Sequence, residues 1–478
     1  MTQHTVDIAI IGAGSAGMTA YRAASKHTDS IVVIESGPYG TTCARVGCMP
    51  SKLLIAAAEA AHAVREAPRF GLKAALDAVD GEAVMQRVRG ERDRFVGFVV
   101  DTVNDWPDAH RLRGHARFVK PGVLAVGDDE VHARCIIIAT GSTPNVPEDW
   151  RAALGDRLIV NDDVFNWTTL PASVAVVGTG IIGLELAQAL ALLGVRVRLL
   201  GRNGRVGPLT EPSLQNLTHD LVDASLQLSA DAKIVAVESG GDGVVVRFET
   251  ADGVQQETFE YLLAATGRRP NLNGLNVEKA GIKVDDKGRI PFDRGTQQID
   301  DLPVFIAGDV HGVRPLLHEA SDDGRIAGDN AVTWPKVVQR PRRAPLAIVF
   351  SQPQIMMAGA SHAELTADNV DFATGTVSFK KQGRARVMCV NQGALHVYGE
   401  HGSGRFLGAE MIGPAAEHLG HLLAWSVQAG LTVQQMLDSP FYHPVIEEGL
   451  RTALRDLQRQ LKLPPQAPEG CIDCEVGG

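Results

Sequence analysis

Short apolar runs that stop abruptly at glycine or at an acid set the pattern of this chain. Val6-Asp-Ile-Ala-Ile-Ile11 ends at Gly12, and Ile31-Val-Val-Ile34 ends at Glu35. Runs rich in β-branched residues bounded by glycine read as strands. Between these two, the spacing predicts a helix through about His27. The arrangement returns at Val174–Val177, with glycines, a long apolar helix and a second strand, Val195–Leu200. Each copy is closed later by a strand running into Ala-Thr-Gly, at Ile136–Gly141 and at Leu262–Gly267. Another strand, from Val304, leads to Asp309. Pro335–Pro345 holds three prolines and four Lys/Arg, a boundary signal. Beyond it, strands at 377–380, 386–390 and 394–398 and helices at 415–429 and 447–461 predict a separate α+β unit. Pro464–Gly478 is rich in Pro and Gly and reads as a flexible tail.

Strand, glycine turn, helix, strand and acid, in that order, give the glycines a physical role. In Gly12-Ala-Gly14-Ser-Ala-Gly17, the first two permit a tight turn and close approach of a pyrophosphate to the helix start. Gly17 lets helix and strand pack, and Glu35 is placed to accept from ribose hydroxyls. Gly178-Thr-Gly180-Ile-Ile182-Gly183 repeats the device. The expected fold is therefore α/β, with two Rossmann-like dinucleotide-binding domains and a C-terminal α+β domain. Residues 1–145 and 271–340 would form the first nucleotide domain, 146–270 the second, 341–462 the C-terminal domain and 463–478 the tail.

Composition changes this picture little. The 478 residues are 45% hydrophobic and 21% charged, as in ordinary globular proteins. A net charge of −10 gives no electrostatic reason to expect nucleic acid or an anionic membrane as partner. No run reaches the ~18 uncharged apolar residues of a membrane helix. The N-terminus enters a strand without a basic leader, so a cytoplasmic location is expected. Six cysteines are too few for a disulfide scaffold.

Two of them carry the chemistry. Cys43 and Cys48 lie in Thr42-Cys43-Ala-Arg45-Val-Gly-Cys48-Met-Pro-Ser-Lys52, where a helix should begin. About one helical turn between them brings the side chains within disulfide reach, and the helix start lowers thiol pKa. Buried core or half a metal site are the alternatives. No second ligand pair lies nearby, so no metal is expected and the redox reading is preferred. A dithiol substrate needs a base titrating near working pH, and His443 with Glu448 five residues on suits that task. Glu185 stands alone in an apolar helix and needs a partner. Cys135 and Cys389 lie in apolar, strand-like runs and read as core. Cys471-Ile-Asp-Cys474 could relay electrons, bind a metal or do nothing.

In order and content these motifs resemble the flavin-dependent pyridine-nucleotide disulfide oxidoreductases, and within them the dihydrolipoamide dehydrogenases. The resemblance covers about residues 5–460. It implies FAD on the first fingerprint, NAD(P)H on the second, and a homodimer whose active site is shared across the interface. Cys48 would be the thiol against the flavin and Cys43 the one exchanging with substrate. Lys52 would sit near the flavin ring, paired with Glu185. Asp309 would hold the ribityl chain, and the backbone of Leu317-His318-Glu-Ala320 would cap the pyrimidine end. Gly114-His-Ala116 would meet the adenine, with Thr42, Thr140 and Gly141 also at FAD and Gly267 at NAD(P). His443, oriented by Glu448, would be the acid–base reaching a dithiol across the dimer.

Three positions depart from that pattern. The acid expected to hold the adenosine ribose of NAD is Gly201, followed by Arg202, Asn203, Gly204 and Arg205. Arginines without a carboxylate favour a 2′-phosphate, hence NADP(H) over NAD(H). Arg45 stands between the redox cysteines, where its charge could stabilise a thiolate or attract an anion. Phe441-Tyr442 precede His443. The leading expectation is dihydrolipoamide dehydrogenase-like exchange with a small dithiol, any lipoyl domain coming in trans. NADPH-dependent reduction of another small disulfide, or mercuric-type metal-ion reduction using the tail cysteines, are the alternatives.

Overall fold

A computed structural model describes residues 2–241 and 243–463. The first nucleotide domain opens with strand β1 (Gln3–Ile11), helix α1 (Ser15–Ala24) and strand β2 (Ile31–Glu35). Three helices follow, α2 (Thr42–Val46), α3 (Cys48–Glu66) and α4 (Gly81–Asn104). Then come β3 (Arg111–Arg113), β4 (Ala116–Lys120), β5 (Val123–Val126) and β6 (Asp129–Ile138). The sheet order is β3-β2-β1-β6-β5-β4. β1 lies parallel between β2 and β6 and is wholly covered from Ile8 to Ile11, which is why its sequence is a continuous apolar run. α1 ends at Ala24, a turn earlier than the pattern predicted, because the chain turns back through His27.

The short strand β7 (Ser142–Pro144) leaves this domain, and α5 (Glu148–Leu154), β8 (Leu158–Ile159) and α6 (Asn161–Val164) enter the second. There β9 (Ser173–Val177), α7 (Ile181–Leu192), β10 (Arg196–Leu200), α8 (Pro212–Asp223) and β11 (Gln227–Ser229) build another parallel sheet. An antiparallel trio, β12 (Lys233–Gly240), β13 (Gly243–Thr250) and β14 (Gly253–Phe259), covers it before β15 (Tyr261–Ala264) closes the order β11-β10-β9-β15-β8. The return strand β16 (Arg268–Pro270) pairs antiparallel with β7. β17 (Val304–Ile306) then rejoins the first sheet beside β6, and α9 (Leu317–Thr333) packs on α1. Gly324 and Gly328 admit the α1 backbone at Ala16 and Ala20, where a Cβ would collide.

The C-terminal domain is the antiparallel sheet β18-β19-β22-β21-β20, formed by β18 (Leu346–Val349), β19 (Gln354–Gly359), β20 (Phe372–Ser378), β21 (Ala394–Glu400) and β22 (Phe406–Gly413). Its helices are α10 (His362–Ala367), α11 (Gly383–Val387), α12 (Ala416–Gln428), α13 (Val433–Leu437) and α14 (Glu447–Gln460). The strand expected at 386–390 is not there. Gln382 caps α11 by accepting from the Ala385 N–H, and Cys389 follows at φ +56°, a turn conformation. Cys389 is half-exposed, not core, whereas Cys135 is fully buried in β6. Among the described residues, no helix is long and apolar enough to cross a membrane.

Candidate active site

Gly12 and Gly178 both lie at positive φ, +109° and +121°. A Cβ on either would strike the carbonyl of Ala139 or Ala265, the first residue of each Ala-Thr-Gly closure. Gly17 and Gly183 are equally hemmed in, by the carbonyls of Gly12 and Gly178. Gly14 and Gly180 differ, since a Cβ there would meet nothing within 4 Å. That open backbone at a helix N-terminus is where a diphosphate fits.

At Gly14 the first domain opens into a cleft of about 580 Å³, bordered by Glu35, Thr42, Gly114, Ala116 and Thr140. Past Gly14 and Gly141 it meets a second cavity of about 180 Å³, lined by Cys43, Cys48, Asp309, Ala320 and Ile182. An acid at one end, a glycine track in the middle and a thiol pair at the other fit a flavin dinucleotide. Glu35 is held in place by the N–H groups of Ala13 and Gly37, at 2.8 and 2.7 Å. His318 does not border the cavity, although its neighbours Leu317 and Ala320 do, and it is exposed.

The two cysteines do not share one helix. Thr41, at φ +56°, caps α2 by accepting from the Ala44 N–H at 3.2 Å, and Gly47 breaks the chain before α3 starts at Cys48. Both are free thiols in this structure. The Cys43 thiol donates to Cys48, which with the Lys52 charge outweighs burial and brings the Cys48 pKa down to about 7. The same hydrogen bond, with burial, pushes the Cys43 thiol up. The donor is thus poised to stay protonated while its partner ionises.

Lys52 Nζ donates to both oxygens of Glu185, at 3.0 and 2.8 Å. Glu185 is buried on α7 and accepts a third bond from the Phe350 N–H at 2.9 Å, while the Phe350 ring lies 4.6 Å from Lys52 Nζ. The pair therefore joins all three domains.

Three residues here were not singled out by the sequence, and Arg268 only as the end of the second Ala-Thr-Gly motif. Ser142 donates to Asp309 Oδ2 at 3.0 Å, and Arg268 clamps Ser142 through its hydroxyl (2.9 Å) and carbonyl (2.7 Å). Asn161 and Phe350 complete the set. A signal existed for two of them, since Ser142 and Arg268 each directly follow an Ala-Thr-Gly closure. Asn161 and Phe350 sit in segments without any pattern.

His443 Nδ1 lies 3.0 and 3.1 Å from the two oxygens of Glu448. Its hydrogen bond to Glu448, with the Val445 N–H and Arg451, holds that carboxyl below the usual carboxylate range. The His443 side chain is 81% exposed and does not line the cavity holding Cys43 and Cys48 of its own chain. Beside it runs an apolar groove of about 560 Å³ containing Leu422, Trp425, Phe441 and Tyr442. Trp425 and Tyr442 are 65% and 79% exposed, an aromatic face that calls for cover.

Two expectations need correction. Arg45 does not face the thiols. It lines the wide cleft beside Thr41 and Thr42, its stem against Gly40, and its charge acts on Asp162 rather than on either sulfur. Cys389 is the second, half-buried in a turn rather than in a core strand. Arg202, Asn203 and Arg205 lie exposed just beyond β10, and Gly267 follows β15, two strands away in the same sheet. Cys471 and Cys474 fall outside the described residues.

Two dinucleotide tracks in one chain, with a thiol pair at the inner end of the first, define a nucleotide-linked thiol oxidoreductase. The chain belongs to the pyridine nucleotide-disulphide oxidoreductase family, matched over residues 6–324, with that family's dimerisation domain over 346–454. The family implies FAD and a pyridine nucleotide, and the dimerisation domain supports a homodimer. The chain is 31% identical to a mercuric reductase of Streptomyces lividans, over 94% of its own length and 95% of the relative's. It is also 31% identical to a mycothione reductase of Mycobacterium tuberculosis (95% and 100% covered), and 29% to a dihydrolipoyl dehydrogenase of Thermus scotoductus (95% and 98%). Its fold matches the crystal structure of LpdA from Mycobacterium tuberculosis, with a TM-score of 0.80, 24% identity, and 95% and 99% of the two chains covered.

Proposed function

We propose that this protein is an NADPH-dependent reductase of a small disulfide, working as a cytoplasmic homodimer with FAD. Domain limits at 145, 270, 340 and 462 accompany this reading. The observation that carries it is Gly201. A Cβ there would lie 2.6 Å from the Ala230 carbonyl and 2.7 Å from Thr179, so a carboxylate side chain at the position that would hold an NAD ribose would force the strand end to shift. Arg202 and Arg205 stand exposed beside it, without an ion-pair partner within 4.0 Å among the described residues. Guanidinium pairs well with phosphate and poorly with a bare ribose.

The overall reaction is NADPH + H⁺ + RSSR → NADP⁺ + 2 RSH. FAD, when bound, supplies two-electron transfer between nicotinamide and the Cys43–Cys48 disulfide. The chain's residues do the rest. His443 of the other subunit takes the Cys43 proton as Cys43 attacks the substrate disulfide to form a mixed disulfide, and passes that proton to the departing thiolate. Cys48, ionised near neutral pH, then attacks the Cys43 sulfur, restores the Cys43–Cys48 bond and releases the second thiolate, which takes up the solvent proton of the overall equation. Glu448 fixes the His443 tautomer and stabilises its imidazolium. Lys52 supports the Cys48 thiolate, while Asp309 and Ser142 anchor the ribityl end.

Oxidation of dihydrolipoamide is the second reading, supported by the relatives of that name; the same thiols and base serve it in reverse. Mercuric-type reduction rests on the tail cysteines. Steady-state kinetics of the double variant Arg202→Ala/Arg205→Ala test the nucleotide assignment. The KM for NADPH should rise about 10- to 100-fold, the worth of one or two charge-assisted hydrogen bonds, with that for NADH little changed. An unaltered KM for NADPH would defeat the assignment.

A further inference from the structure

The redox turn is held from outside its own domain. Between Cys43 and Cys48 the chain leaves α2 at Val46, breaks at Gly47 (φ −126°, ψ −115°) and enters α3. Val46 offers a carbonyl at that break. Its partner is the side chain of Asn161, at the start of α6 on the far side of the β7–β16 crossing, whose Nδ2 donates to Val46 O at 3.0 Å. The other Nδ2 hydrogen goes to Asp162 Oδ1 at 2.9 Å, and Asn161 Oδ1 faces Arg268 at 3.5 Å. Every polar atom of this amide has a partner, and Asn161 is 7% exposed, so its orientation is fixed with the donor toward the turn. Arg268 also clamps Ser142, which donates to Asp309. One connected set of hydrogen bonds therefore runs from the thiol turn through Asn161 and Arg268 to the carboxylate at the cavity floor.

We infer that Asn161 is a positioning residue for the dithiol, holding the Val46 carbonyl so that Cys43 and Cys48 meet across the helix break. Disulfide formation depends on how much of the time two thiols are held in bonding geometry, and a turn interrupted by glycine has little stiffness of its own. An outside donor supplies it. Releasing the Val46 carbonyl lets α2 and α3 hinge at Gly47, which lowers the effective concentration of one thiol at the other. The disulfide then becomes easier to reduce. An acceptor in place of the amide NH₂ would have a larger effect, since two oxygens would face each other.

This inference rests on the proposed redox role of Cys43 and Cys48, and the experiment separates the two. Wild type, Asn161→Ala, Asn161→Asp and Asp163→Ala are equilibrated in dithiothreitol redox buffers, then alkylated, and the Cys43–Cys48 disulfide is counted by mass spectrometry. Asp163→Ala is the structural control, because Asp163 Oδ2 anchors α6 by accepting the Val160 N–H without touching the turn. Wild type should show a cooperative dithiol–disulfide transition; its absence would sink the redox reading itself. Asn161→Ala should shift the equilibrium at least tenfold toward the dithiol, about 30 mV, and Asn161→Asp further, with Asp163→Ala close to wild type. Given a wild-type transition, an unshifted Asn161→Ala, or a shift equalled by Asp163→Ala, would overturn the positioning role. All four proteins are compared as holoenzymes, with FAD content matched by flavin absorbance.

Discussion

The two nucleotide domains repeat one piece of backbone engineering and then part company at its edge. Gly12 and Gly178 turn at the same positive φ against the same closing carbonyl, and Gly17 and Gly183 admit the same close helix–strand contact. At the end of the second strand the first domain has Glu35, fastened by two backbone N–H groups, while the second has Gly201 wedged against Ala230 and Thr179. Turn geometry is fixed by the need to bring a helix N-terminus to a diphosphate, so it is common to both. The ribose end is free to differ, and on the proposed assignment the two domains take different nucleotides there. The first domain also carries an insertion, α2 to α4, that places the Cys43 and Cys48 thiols at its inner end. The second carries nothing of the kind.

The largest effect that would test this asymmetry is removal of a thiol. Cys48→Ser should lower disulfide turnover by more than about a thousandfold, by analogy with loss of any member of a catalytic unit. NADPH-driven reduction of a one-step quinone acceptor should survive, because it needs both nucleotide sites and neither sulfur. Equal loss of both activities in a variant that retains FAD would mean that the domains are not separable in this way. His443→Gln comes next. Removing the general acid–base should cost about 10²- to 10⁴-fold in kcat with the disulfide. Mixing that variant with Cys43→Ser subunits should restore part of the activity if the base serves across the dimer, and none if it serves its own chain.

Gly201→Glu is a sharper probe of the ribose end. Placing the acid of the first domain into the second should not convert the enzyme to NADH. Its Cβ would meet the Ala230 carbonyl, and overpacking of this kind typically costs about 1–3 kcal/mol, to be read as a lower unfolding midpoint. A stable variant with improved NADH turnover would show that the strand end yields more readily than its packing implies. The smallest expected effect concerns pH. Because the Cys48 pKa is lowered to about 7, the rate of Cys48 alkylation in the reduced protein should rise with pH and level off above that value. Lys52→Met removes a charge that favours the thiolate, so the midpoint should move upward; a downward move would contradict the assigned sign.

Much of this was legible in the sequence because periodicity and glycine report on backbone. The two fingerprints, both closing strands, the Cys43–Cys48 turn and the His443–Glu448 pair all stand in segments whose pattern has a local cause. What escaped has a non-local one. Arg386–Val390 has the apolar character of a strand, but Gln382 caps it into helix α11, and Cys389 turns out of the core. Arg45 looked like a substrate contact from its place between the cysteines, yet the break at Gly47 and the fold of α2 aim it at the wide cleft. Asn161 and Phe350 reach the site only through the packing of one domain on another, and no spacing within the chain announces that.

The most direct test of the central claim is steady-state turnover of the purified dimer with NADPH and NADH, each against lipoamide, glutathione disulfide, other low-molecular-weight disulfides and Hg(II), with Cys43→Ser run in parallel. The account predicts that NADPH outperforms NADH, that at least one small disulfide is reduced with two thiols formed per NADPH, and that Cys43→Ser abolishes it. Turnover confined to non-disulfide acceptors and indifferent to Cys43→Ser would contradict it.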